Sequence, residues 1–141
     1  MIKHNQPWIT SEDIASVEDV LKTNWLAQGD QIKKLEETFS NQFKSGHSCA
    51  VSSGSAALFL ALKHLGATKN SKVVVPTYAC SALLNAVYMV GATPIIVDVQ
   101  EENLCIDPTQ VAINAKDAGF VIAVHTYGAL APAQKLKKKN R

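Results

Sequence analysis

The stretch KVVVPTYACSALLNAVYMVGATPIIVDV, running from Lys72 to Val99, decides the fold. Its opening run, Lys72–Val75, is rich in valine and does not alternate with polar residues, the pattern of a strand covered on both faces. Ala82 to Val90 reads as a helix, closed by Gly91 placed as a C-terminal cap. Pro94–Val99 is a second strand of the same type. The alternation continues on both sides of this unit. Ser48–Val51 and Phe120–Val124 are further apolar runs, and Ala56 to Leu65 is a helix closed by Gly66. Asp107-Pro108 opens another helix, with Asp as cap and Pro at the first helical position. Strand alternating with helix predicts an α/β fold with a mostly parallel sheet and right-handed crossovers.

Towards the N-terminus the period changes. Thr10 or Ser11 is suited to cap a helix, with Glu12 and Asp13 in its first turn. Ile14, Val17, Val20 and Leu21 then recur at helical spacing. A second amphipathic helix follows Gly29, carries Ile32, Leu35, Phe39 and Phe43 on one face, and stops at Gly46. Asn24–Gly29 between them has no period and reads as a loop. The chain therefore divides into a helical N-terminal segment, 1–46, and an α/β part, 47–141.

The 141 residues are 47% apolar and 18% charged, which fits a globular protein rather than a disordered one. A net charge of +2 is too small to point to nucleic acid. Much of it comes from Lys135, Lys137, Lys138, Lys139 and Arg141, read as a solvated helix face or tail. The first residues lack the apolar core of a signal peptide, and no run approaches the ~20 apolar residues of a membrane-spanning helix. Cys49, Cys80 and Cys105 are odd in number and widely spaced among apolar residues. They read as reduced, mostly buried thiols of a cytoplasmic protein, with no grouping that would hold a metal.

In parallel α/β sheets ligands bind beyond the carboxyl ends of the strands. The loops to inspect are Ser52–Ser55, Pro76–Ser81, Val99–Asn103 and His125–Gly128. Val51-Ser52-Ser53-Gly54-Ser55-Ala56 is a strand end, a small polar turn and a helix start. Free amides at a helix N-terminus make an anion site, Gly54 lets the backbone approach closely, and the Ser55 hydroxyl adds a donor. The same residues also suit an ordinary capping turn. No Walker loop and no GxGxxG fingerprint is present.

Five motifs, in order and at consistent spacing, resemble those of the DegT/DnrJ/EryC1/StrS aminotransferases. Ser52-Ser53-Gly54-Ser55-Ala56-Ala57-Leu58 is similar to that family's SSGTAAL. Asn24-Trp25-Leu26-Ala27-Gln28-Gly29, with Leu35-Glu36 and Phe39, resembles its entrance segment. Val75-Pro76-Thr77-Tyr78, with Asn85-Ala86-Val87 and Gly91-Ala92-Thr93-Pro94, resembles VPSFTF…NAV…GAxP. Val97-Asp98-Val99 with Ile106-Asp107-Pro108, and Val124-His125-Thr126-Tyr127-Gly128, complete the series. The resemblance implies the fold-type I, aspartate aminotransferase-like large domain, here its N-terminal part. It also implies pyridoxal 5'-phosphate as cofactor and a homodimer when full length. The activity implied is transfer of an amino group from an amino-acid donor to a keto sugar carried on a nucleotide. Ser53, Gly54 and Ser55 would hold the cofactor phosphate. Tyr78, Cys80 and His125 would lie by its ring, and Trp25 and Tyr127 on the substrate side.

One position departs from the pattern. Cys80 stands where the family has a second aromatic, and a thiol offers a ring much less contact. Tyr78, two residues earlier on a segment read as extended, would share the side of residue 80 without taking its place. The lysine that forms the Schiff base and the acid that protonates the ring nitrogen are expected beyond residue 141. The lysines present read as solvated, and Asp98 as a strand-end hydrogen-bonding group. A non-catalytic binder on the same fold, an inactive remnant and a plain nucleotide-binding domain are the competing readings. In the family sheet Ser48–Val51 is separated from the other three strands by strands encoded later, which leaves apolar edges unpaired. The 141-residue chain alone is therefore expected to be poorly soluble or molten, with little activity; a sharp, cooperative thermal transition of the purified chain would count against this.

Overall fold

A computed structural model describes Ile2 and residues 4–136. The chain forms two compact units, Met1–Ala50 and Val51–Arg141. Of the basic C-terminal run, only Lys135 falls among the described residues.

The first unit holds two helices, α1 (Ser11–Lys22) and α2 (Asp30–Phe43). Thr10 caps α1 as expected: its hydroxyl accepts from the Asp13 amide, and the Asp13 carboxylate accepts from the Thr10 amide at 2.8 Å. The Thr10 amide and then the Thr10 hydroxyl, both donating to the Asp13 carboxylate, hold that carboxyl below its ordinary pKa. The apolar stripes are where the spacing placed them, but Ile14, Val17, Leu35 and Phe39 remain exposed among the described residues. The loop between the helices is closed on itself, the Trp25 indole N–H donating to the Gln28 carbonyl at 2.9 Å.

The second unit is built on three parallel strands, β1 (Lys72–Pro76), β2 (Thr93–Val97) and β3 (Phe120–Val121), in the order β2-β1-β3. Val74 sits opposite Ile95 on one side and Val121 on the other. Because side chains of a strand alternate between faces, β1 contributes to two separate cores. Val73 and Val75 pack with Leu62, Leu83, Ala86 and Val87, which come from α3 (Gly54–His64) and α4 (Ala82–Met89). Val74 packs on the other face with Val97, Ile106 and Ala115, beside α5 (Pro108–Asn114). A four-residue helix, α6 (Ala133–Leu136), follows.

The helix boundaries follow from local chemistry. Gly66 and Gly91 adopt φ of +87° and +79°, and in each case the glycine's own amide and the next one bond back into the helix's last turn. Ala67 and Ala92, which follow these glycines, are buried in the same core, so each cap also fixes where the chain re-enters the sheet. Asp107 caps α5 through its carboxylate to the Thr109 amide.

Three expectations need correction. Ser48–Val51 forms no strand. Its polar groups turn instead to α2: the Ala50 amide donates to the Glu36 carboxylate at 2.8 Å, and the Ser40 hydroxyl donates to that of Ser48. Among the described residues full cover on both faces holds for β1 alone, since Ile96 of β2 is 55% exposed and both residues of β3 are only partly buried. The cysteines are not mostly buried. Cys105 is, but Cys49 is exposed in the irregular segment after α2 and Cys80 is exposed beside an open cleft. Val74 is fully enclosed, so Val74→Ala should cost about 2 kcal/mol through lost contacts and an unfilled hole, read as a lower denaturant midpoint.

Candidate active site

The loops that follow β1 and β3 meet beyond the carboxyl ends of these strands. Thr77–Cys80, Leu83 and Val124–Tyr127 enclose a cleft of about 480 Å³. Tyr78, Cys80, His125 and Tyr127, four of the residues singled out from sequence, are thus brought together. Its floor is apolar, because Leu83 and Val124 belong to the core shared with α3 and α4. The two phenol oxygens of Tyr78 and Tyr127 are 2.9 Å apart across its mouth, with ring centroids at 6.3 Å.

The His125 ring is oriented by a backbone group. The Ala131 amide donates to Nδ1 at 2.8 Å, so Nδ1 carries no proton and neutral His125 keeps its proton on Nε2. Next to it, Thr126 is buried and its hydroxyl donates to the Leu104 carbonyl at 3.1 Å. Tyr127 then takes a left-handed backbone conformation, φ 50° and ψ 31°, which costs a residue with a side chain about 1–2 kcal/mol. Gly128 continues at φ +89° and the Ala129 amide closes the turn on the Thr126 carbonyl. Thr126 and Ala131 were not singled out from sequence. The Ala131 contribution is a main-chain donor, for which no side-chain signal exists.

Below the Tyr78 loop, the Asp98 carboxylate accepts from the Val99 amide at 2.8 Å and from the Thr77 hydroxyl at 3.3 Å. Asp98 therefore serves as a strand-end hydrogen-bonding group, as its position suggested. Thr77–Ala79 bends rather than running on extended, so simple alternation does not relate Tyr78 to Cys80. The bend follows the departure of the chain from β1, whose last ladder partner is Val97.

The Ser52–Ser55 turn does not line this cleft. It caps α3: the Ser53 hydroxyl accepts from the Ala56 amide at 3.2 Å, and the Ser53 carbonyl accepts from Ala57. The capping reading of the turn therefore holds, and donors are left over beside it. Ser53 spends its hydroxyl on the cap, while the Gly54 and Ser55 amides and the Ser55 hydroxyl have no partner among the described residues. A Cβ added at Gly54 would meet nothing within 4 Å, so the approach to these donors is open. Two amides, a hydroxyl and the positive end of a helix fit a phosphate. Trp25 belongs to the first unit, where it borders a separate hollow with Val20 and Ile32. A larger hollow, lined by Val111, Ala115, Val121 and Leu136, lies by the opposite core and holds none of the expected site residues.

Solved structures share this architecture. A putative sugar aminotransferase from Streptococcus pneumoniae, in forms with PMP and with PLP, superposes with a TM-score of 0.88 at 28% identity. The match covers 96% of this chain and 34–35% of those. DesV of S. venezuelae, in complex with a ketimine intermediate, gives 0.82 at 30% identity over 89% of this chain and 34% of its own. The fold is that of the pyridoxal-phosphate-dependent transferases over this stretch. The chain belongs to the DegT/DnrJ/EryC1/StrS aminotransferase family, whose model matches residues 7–140. A spore coat polysaccharide biosynthesis protein of Bacillus subtilis (strain 168), SpsC, is 34% identical over 128 residues, 90% of this chain and 33% of that protein. The chain thus spans about a third of the length of the relatives it matches.

The hydrogen bond to Tyr127, and then the charge of that neighbour, raise the Tyr78 phenol above the ordinary value of 10.0. A raised value in the folded state means the bond's contribution is intact below pH ~10 and is lost as pH climbs through the raised value. Phenolate absorbance should therefore show a tyrosine titrating late, and Tyr127→Phe should return it to the ordinary range.

Proposed function

We propose that the protein is a pyridoxal-phosphate-dependent aminotransferase, passing an amino group from an amino-acid donor to the keto carbon of a nucleotide-linked sugar. The product would feed a cell-surface polysaccharide or amino-sugar pathway. In this reading the protein is cytoplasmic and works as a homodimer, and it needs no nucleic acid or membrane. The observation that carries it is the free donor set at the start of α3, the Gly54 and Ser55 amides with the Ser55 hydroxyl. Family membership and the PLP and PMP forms of a structural neighbour support the choice of cofactor.

When bound, the cofactor supplies an electron-poor ring that takes up the electron pair left on a substrate carbon as its proton departs. The chain's own residues bind and orient. Gly54 and Ser55 hold the phosphate dianion, and Ser53 keeps their amides directed by capping the helix behind them. His125 offers its Nε2 proton to the cleft, because Nδ1 is engaged by Ala131. Tyr78 and Cys80, which border the cleft, would lie against the cofactor ring, and Leu83 would exclude water from its floor. Tyr127 is assigned to the substrate side, and Trp25 to the entrance on the strength of the resemblance. The lysine that carries the cofactor and the acid at its ring nitrogen lie, in this reading, outside the 141 residues.

The test is the full-length protein. It should purify with the visible absorbance of bound cofactor and lose it on borohydride reduction. Ser55→Ala removes one hydrogen bond to a charged group, worth about 1.5–3 kcal/mol, and should weaken cofactor binding by roughly ten- to a hundredfold. A correctly folded full-length protein without the absorbance band ends this proposal.

A further inference from the structure

Two aromatic rings border the cleft, and neither stands at residue 80. Tyr78 lies in a bend, outside helix and strand, so regular secondary structure does not fix its ring. Tyr127 is 85% exposed, so packing among the described residues does not fix its placement either. Yet its backbone is held in the left-handed region, which residues with side chains seldom adopt. The turn is pinned on both sides, by Thr126 bonding the Leu104 carbonyl and by Ala131 bonding His125 Nδ1. The outcome of this effort is one contact: the Tyr127 phenol oxygen lies 2.9 Å from that of Tyr78, a residue far away in sequence. The rings are tilted at 60° with centroids 6.3 Å apart, so they meet at their phenol oxygens and do not stack on each other.

We propose that Tyr127 is a positioning residue: through the hydrogen bond between the two phenols it holds the Tyr78 ring as the aromatic wall of the cofactor cleft, where residue 80 supplies only a thiol. The inference rests on the assignment of this cleft to pyridoxal phosphate. Tyr78 supplies the contact and Tyr127 supplies its orientation. Tying down the first loses value if the second is removed, and the converse also holds, because a single bond serves both.

The experiment is a double-mutant cycle in the full-length protein loaded with pyridoxal phosphate, following cofactor dissociation by visible absorbance. Tyr127→Phe and Tyr78→Phe keep both rings and remove only the bond. Each should speed dissociation by about threefold to tenfold, the span of one neutral hydrogen bond, and the double variant should be no faster than either single one. Phenolate titration of Tyr127→Phe, with or without cofactor, reads the bond by itself. Unchanged dissociation in both single variants, or effects that multiply in the double variant, overturns the proposal. A wild-type protein that titrates as described but holds no cofactor instead overturns the cofactor assignment, and the wall with it.

Discussion

Everything in the second unit depends on β1 being buried from both sides. Val73, Val74 and Val75 are almost wholly inaccessible, and successive ones face different cores. A strand in that setting has no polar face and must be central in its sheet, with neighbours on each edge and helices on each face. β2 and β3 supply the first, α3, α4 and α5 the second. The cleft then follows as a geometric result. Loops leaving the carboxyl ends of adjacent parallel strands on their way to different helices diverge, and the gap between them is the cleft bordered by Tyr78 and His125.

Much of this was legible in the sequence because the signals were local. Three valines in a row, a capping serine, Gly66 and Gly91 after apolar helices and Asp107-Pro108 each specify their own neighbourhood. Motif order then gathered Tyr78, Cys80, His125 and Tyr127 around one site. The misreadings arose where a segment's fate depends on what lies beside it. Ser48–Val51 has strand composition, but strands exist only in pairs, and a glutamate from α2 takes the amide that a ladder would have used. The bend at Thr77–Ala79 is likewise set by where β1 stops pairing with β2. The His125–Ala131 bond involves a main-chain donor and so leaves no trace in residue types.

At the start of α3 a capping turn leaves backbone donors over. A helix N-terminus has more free amides than one side chain can satisfy. Ser53 meets the Ala56 donor and thereby stabilises the end, while the two amides ahead of it have no partner among the described residues. The same economy applies at Asp98, where one carboxylate oxygen ends β2 and steadies the Thr77 side of the cleft.

The register of the sheet also implies an order of assembly. Val74 meets Ile95 about 20 residues along the chain but meets Val121 only after about 47. Closing the shorter loop costs less entropy, and α4 shields the product from solvent as it forms. The β1-α4-β2 unit is thus the natural nucleus, and β3, with two residues of pairing, docks onto it afterwards. The cleft, which needs the turn beyond β3, would come into being as one of the last features of the fold, and its opening would be among the earliest events of unfolding.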